Sequence, residues 1–186
     1  VNNSGTDMES SFRETEAKLL GTRMRREFEA HEGWGVVRLF PEPSVIPQVT
    51  LELNALRSDG AHLSIAVLGY DVSGRVLLDR TYNDVASVSD YLGEGADPFN
   101  DLFVRIHVDL LSALMTEAPA IATLESVSFL RYAQALVPEA FSGYLSHVEG
   151  YWGLTRLPSA QDPMAIRLKK LQEYELLFID TIDEQM

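Results

Sequence analysis

The chain has 186 residues, of which 46% are hydrophobic and 23% charged, and it has no cysteine. This length and composition predict a globular protein with a sizeable core, and they exclude disulfide scaffolds, thiol catalysis and zinc sites built on thiolates. The formal net charge of −13 is shared by both halves of the chain. An acidic surface repels polyanions, so nucleic acid is not an expected partner.

Residues 8–31 predict an amphipathic helix, because apolar side chains recur there at helical spacing: Phe12, Leu19, Leu20, Met24 and Phe28. Thr6 or Asp7 is the expected N-cap, and Gly33 the expected end. The polar stretch before the helix, residues 2–7, has the composition of an anion-binding loop. It lacks a lysine, and Asp7 already occupies the positive end of the helix. We interpret it as a strand-to-helix corner, with Val1 as the last residue of a strand.

Residues 34–41, "WGVVRLFP", predict a short strand. Residues 49–81 then give the clearest pattern in the chain: Val49–Ala55, Leu63–Gly69 and Val76–Thr81 alternate apolar and polar residues. Asp-Gly and Ser-Gly turns separate the three runs. The pattern predicts a three-stranded antiparallel meander.

Residues 87–96 contain two glycines and little periodicity, and predict a linker or surface loop. The period then changes from two to 3.6, and "DPF", Pro119 and "DPM" mark three helices over 99–114, 120–136 and 162–186. Between the second and third, residues 139–158 predict one or two helical turns and a brief extended piece.

Motifs that specify catalysis do not occur. The four histidines, His31, His62, His107 and His147, lie in separate predicted elements without H-x3-H or H-E-x-x-H spacing. We therefore predict no catalytic, cofactor or metal residues, and we interpret His107 as a boundary or hydrogen-bonded core histidine. G-x-S-x-G and the glycine-rich nucleotide-binding motifs do not occur either. "GEGADP" at 93–98 has the wrong charge for an anion.

Aromatic residues concentrate in the last quarter of the chain, and such a cluster is either a core corner or a partner-binding face. The candidate partner-binding residues are Tyr144, Tyr151, Trp152, Tyr174 and Phe178. An alternative use of the same region is a small-ligand or glycan site, or a hydrolase, with Asp162, Glu173 or Glu175 as polar groups. That alternative requires a pocket lined by Tyr151, Trp152 and Tyr174.

Three segments within residues 1–85 resemble segments of a known group of domains. "VNNSG" before a long helix, "GVVRLF" as a second strand and "DVSGRVLLDRTY" in a late hairpin resemble the small α/β domains of bacterial envelope proteins. These are the curli-secretion lipoprotein, the amino-terminal domain of the Tol-Pal translocation protein, and flagellar outer-membrane lipoproteins. The resemblance implies a periplasmic assembly factor, often anchored by a lipid on a cysteine upstream of Val1. It carries over no catalytic residues.

We therefore expect an α+β fold. An α/β domain over residues 1–90, made of a helix, a strand and the meander, packs against a helical region of three or more helices over residues 97–186. The expected function is that of a non-enzymatic envelope scaffold, acting through protein partners or as a homo-oligomer. The expected location is the periplasm, with membrane contact only through the lipid anchor. Regulation inside the cell through a protein partner is a third possibility.

Overall fold

A computed structural model describes residues 4–39, 46–92, 97–117 and 119–183. Five α-helices and five strands lie in these ranges, and the order confirms the α+β class. In chain order they are α1 (Ser4–Glu29), β1 (Val49–Ser58), β2 (His62–Asp71), β3 (Val76–Val85), α2 (Asn100–Glu117), α3 (Ile121–Leu136), α4 (Pro138–Phe141), β4 (Leu145–Val148), β5 (Tyr151–Leu154) and α5 (Pro163–Asp183). No described helix is both long enough and apolar enough to span a bilayer.

The chain forms two compact units. Of the described residues, unit 1 comprises 4–39, 51–69, 78–92 and 97–116, and unit 2 comprises 46–50, 70–77, 117 and 119–183. This division differs from the predicted boundary at residues 90–97, because α2 belongs to unit 1. The predicted linker at 87–96 holds a 3₁₀ turn at Val88–Tyr91, and residues 93–96 lie outside the described ranges.

The meander is confirmed, with strand order β1-β2-β3. Side chains of the central strand β2 alternate strictly between buried and half-buried along its length. The buried set contains Leu63, Ile65 and Val67, as the period-two pattern predicts. Gly69 continues this face, and a Cβ placed on it would meet Leu110 of α2 at 3.2 Å. Helix α2 therefore lies close against β2 within unit 1.

Helix α1 begins at Ser4, so Thr6 and Asp7 lie inside the helix, and the prediction that either one caps it is wrong. Leu20, Met24 and Phe28 of the predicted apolar stripe are buried. The prediction is wrong for Leu19, which is 53% exposed, and the side chain of Phe12 lies outside those described. The predicted strand at 34–41 is also wrong over residues 34–39, which form no strand. Residues 40 and 41 and the proposed strand end at Val1 lie outside the described residues.

Unit 2 is built around α3, which contacts α4, α5, β4 and β5. Its core contains Leu124, Val127 and Leu130 of α3, together with Phe141 and Leu168 from other elements. The second predicted Asp-Pro start is confirmed as a helix cap. Asp162 Oδ1 accepts hydrogen bonds from the backbone N–H groups of Met164 and Ala165, at 2.8 and 3.1 Å, at the start of α5.

The extended piece expected within 139–158 is a β-hairpin. β4 and β5 pair antiparallel, with Val148 opposite Tyr151 and Leu145 opposite Leu154. The two turn residues, Glu149 and Gly150, have positive φ angles of 53° and 89°. Two positive φ angles characterise the tight hairpin turn whose twist matches that of the strands.

Candidate functional site

A half-open cleft of about 510 Å³ lies in unit 2. Three elements line it: the β2–β3 turn with Ser73 and Arg75, the first turns of α3 with Thr123, Leu124 and Val127, and β5 with residues 151–154. Pro119 completes the lining. The volume lies within the range of natural ligand sites, roughly 300–1,000 Å³.

Hydrogen bonds to the buried Asp71 fix the shape of the β2–β3 turn, which forms one wall of the cleft. Asp71 Oδ1 accepts from Ser73 N at 2.8 Å, from Ser73 Oγ at 2.5 Å and from Arg75 N at 3.1 Å. The wall is joined to β5 where Trp152 N donates to Ser73 O at 2.7 Å. Both walls of the cleft are thus tied together at the backbone, and the Ser73 hydroxyl is already engaged by Asp71.

The Trp152 ring has neighbours on both faces. The His147 imidazole stacks on it with ring centroids 4.2 Å apart and an interplanar angle of 21°. The Arg131 guanidinium carbon lies 5.0 Å from the ring centroid, and the stacked imidazole leaves it only the opposite face. Arg131 also donates from Nη1 to Val72 O at 2.7 Å, and burial lowers the pKa of its guanidinium. Trp152 is therefore held between two neighbours where it lines the cleft.

The structure separates the five aromatic candidates into three locations. Tyr151 and Trp152 line the cleft, and Tyr151 is 54% exposed. Tyr144 is half-buried against Phe141, with the Arg156 guanidinium 4.5 Å from its ring centroid. Tyr174 and Phe178 lie on an exposed face of α5, with 68% and 66% of their surface accessible. These two do not line the cleft.

The carboxylates suggested for a ligand site lie elsewhere. Asp162 is engaged as the cap of α5, and Glu173 is exposed on that helix. Glu175 lies beside Tyr132, and burial together with this carboxylate raises the pKa of Tyr132 to about 12. Among the described residues that line the cleft, Arg75 is charged and none is acidic. The described part of the lining therefore supplies no carboxylate for acid–base chemistry.

A second cluster of polar side chains lies in unit 1. Glu27 and His31, one turn apart at the end of α1, meet His107 of α2, and one potential ligand atom from each lies within 4.8 Å of the others. His107 is buried and accepts a hydrogen bond from Trp34 Nε1 at 2.9 Å. The interpretation of His107 as a hydrogen-bonded core histidine agrees with this geometry. Its proximity to His31 was not predicted.

Sequence reasoning missed the cleft residues Ser73, Arg75 and Thr123, and the cluster around His107. "EFEAHEGW" does contain a glutamate and a histidine at i and i+4, a spacing that places both on one helix face. That signal was available in the sequence. The nearness of His107, 76 residues after His31, could not be predicted, because only tertiary packing brings α2 to α1.

Comparisons with protein-family models, with curated proteins and with solved structures return no match to this chain.

Proposed function

We propose that the protein is a non-enzymatic binding module whose unit 2 cleft takes an extended, largely apolar segment of a protein partner. The observation that carries the proposal is the cleft itself, which combines buried Leu124 and Val127 with the exposed ring of Tyr151. Aromatic side chains beside an apolar floor are the residues that dominate protein–protein binding energy. Most of the described lining is uncharged, which suits an apolar segment.

The covered faces of Trp152 favour a peptide over a glycan. A sugar binds an aromatic ring by lying flat on it, and both faces of Trp152 are taken by His147 and Arg131, so Tyr151 is the one exposed ring among the described lining residues. A peptide side chain needs only the edge of the ring and the apolar floor beside it. The missing acidic group in the described lining likewise favours binding over hydrolysis.

The location that we propose for this binding is the bacterial periplasm, with the protein attached to the outer membrane through a lipid. The support is the resemblance of the hairpin "DVSGRVLLDRTY", which spans the β2–β3 turn, to envelope domains, although the second strand that the resemblance implies is not formed over residues 35–39. Metabolic labelling with a radioactive fatty acid and fractionation of cells that express the complete gene test this part. A product that is unlabelled and recovered with the cytoplasm contradicts it.

The binding test compares two substitutions in the first turn of α3. Thr123 lines the cleft and its neighbour Ala122 is exposed outside it, so Thr123→Trp fills the cleft and Ala122→Trp adds the same bulk elsewhere. A display library of random dodecapeptides is selected on the wild-type chain, and the enriched peptides are synthesised with a fluorescent label. We expect Thr123→Trp to weaken peptide binding at least about tenfold, about 1.4 kcal/mol, and Ala122→Trp to leave it unchanged.

Tyr151→Ala provides a second readout, because the exposed ring can be removed without opening the core. It is expected to weaken the same peptides with unchanged thermal unfolding. Equal affinity of the wild-type chain and Thr123→Trp, or a library without enriched sequences, contradicts the proposal. Enriched peptides that bind equally to Thr123→Trp but not to a Tyr174→Ser, Phe178→Ser variant would move the binding face to α5.

A further inference from the structure

We propose that Glu27, His31 and His107 form a binding site for a divalent transition-metal ion of the zinc class in unit 1. Two imidazoles and one carboxylate are ligands that suit zinc, nickel or copper, and not calcium or magnesium. Three protein ligands leave a fourth position for water, as in open zinc sites. The site is independent of the unit 2 cleft, and no residue is shared between them.

The distances between ligand atoms fit a tetrahedral ion. Glu27 Oε1 lies 3.3 Å from His107 Nδ1 and 3.4 Å from His31 Nδ1. Zinc bonds of about 2.0–2.2 Å place neighbouring ligand atoms of a tetrahedron about 3.3–3.6 Å apart. The two edges at Glu27 Oε1 therefore match the tetrahedron, and the third edge, between ring nitrogens of His31 and His107, is within 4.8 Å and closes when His31 turns.

The ligands differ in exposure in a way that permits the ion to enter. The His107 and Glu27 side chains are only 4% and 9% exposed, whereas the His31 side chain is 47% exposed. His31 follows the last turn of α1, and its Nδ1 lies 2.9 Å from the backbone oxygen of Glu27. A half-exposed residue at a helix end can turn to complete the site, while the buried pair is held by packing. The ion therefore enters from the side of His31.

Trp34 determines which nitrogen of His107 carries the proton before an ion binds. Its indole N–H donates to His107 Nε2, so the neutral imidazole carries its proton on Nδ1, directed at Glu27. A metal on Nδ1 moves that proton to Nε2, where it meets the Trp34 N–H, and two donors cannot bond each other. The hydrogen bond must break when the ion binds. Trp34 is thus a positioning residue that opposes binding and an optical reporter of it.

The experiment titrates zinc chloride into the complete chain, prepared without a histidine tag and treated with a chelator beforehand, and follows the heat of binding. We expect one ion per chain. His31→Ala and Glu27→Gln are expected to weaken binding at least about tenfold. His62→Ala is the matched control, because His62 is also paired with a carboxylate in unit 1, that of Asp59, but lacks a third ligand among the described residues.

Trp34→Phe tests the tautomer argument. It removes the donor and keeps an aromatic ring beside Phe28, so zinc affinity is expected to rise about 2- to 10-fold, the worth of one hydrogen bond. In a Trp152→Phe chain, where Trp34 is the remaining tryptophan, zinc is expected to change the fluorescence. Failure of the wild-type chain to bind, or equal loss in His62→Ala and His31→Ala, overturns the site. Unchanged or weaker binding by Trp34→Phe overturns the assignment of Nδ1 as ligand.

Discussion

Substitution of Gly74 by alanine is expected to destabilise unit 2 by separating the two walls of the cleft. Gly74 has a φ of +92°, and a Cβ placed on it would lie 2.8 Å from the backbone oxygen of Gly150 in the β4–β5 turn. No ordinary Cβ contact is this short. Since the neighbour is backbone and not the end of a flexible side chain, one of the two turns must move.

The expected loss has two components. Holding an L-residue in the left-handed region costs about 1–2 kcal/mol. Overpacking against a neighbour adds about 1–3 kcal/mol, for a total of about 2–5 kcal/mol in the free energy of unfolding. The hydrogen bond from Trp152 N to Ser73 O, adjacent to Gly74, is the contact that we expect to lengthen.

Gly150→Ala is the matched control. Gly150 has nearly the same φ, +89°, but nothing lies within 4 Å of its Cβ position. It is in the same unit, so the difference between the two variants measures the steric contact alone. We expect Gly74→Ala to be less stable than Gly150→Ala by about 1–3 kcal/mol.

The assay is urea unfolding of both variants in a Trp34→Phe chain, so that fluorescence reports Trp152 and therefore unit 2. A single reporter is needed because a chain with two compact units need not unfold in one transition. With a slope of about 1–3 kcal/mol per molar urea, the Gly74→Ala midpoint should lie about 1 M below that of Gly150→Ala. Equal midpoints would show that the 2.8 Å approach does not hold the walls together and would refute the reasoning.

Three further outcomes are expected. Gly69→Val is expected to lower the stability of unit 1 by about 1–3 kcal/mol, because even a Cβ there meets three side chains at 3.2–3.3 Å. Trp34 fluorescence in a Trp152→Phe chain reports this unit, and a neutral result would mean that α2 does not lie against β2. Burial and the hydrogen bond to Asp109 raise the pKa of Tyr82 above its ordinary value of 10.0, so this stabilisation is complete below pH 10 and lost as the pH rises further. Urea midpoints should therefore fall more steeply above pH 10 for the wild-type chain than for Tyr82→Phe, and parallel slopes would contradict the linkage. Tyr174→Ser with Phe178→Ser is expected to change the unfolding free energy by less than about 0.5 kcal/mol, because both rings are mostly exposed, and a loss above about 1 kcal/mol would show that they belong to the core.

Most secondary structure could be predicted because it rests on local periodicity. The alternation in 49–81 predicted the meander, and the Asp-Pro start at Asp162 predicted the beginning of α5. The errors fall where the local signal is weak. Residues 34–39 have the composition of a strand, yet a strand also needs a partner for its backbone groups, and composition does not supply one.

The hairpin β4–β5 was missed for a related reason. Its strands are four residues each, too short to establish a period, and its turn places Glu149 at a positive φ. Glycine, asparagine and aspartate are the usual residues in that conformation. In "VEGY", Gly150 matches this preference and Glu149 does not. The aromatic candidates were recognised as a group by their closeness in sequence, and the structure divided them among a cleft, a half-buried contact and the face of α5.

The sequence by itself determined the class of the fold, the apolar faces of the helices and the sheet, and the acidic charge, because each of these depends on residue type and spacing within one element. Only the tertiary structure decided what could bind. The cleft joins a turn at Ser73 to a hairpin at Trp152, and the candidate metal site joins Glu27 to His107, 80 residues apart. Contacts between residues so far apart in sequence depend on how the elements pack. Local periodicity does not predict which faces of the elements meet.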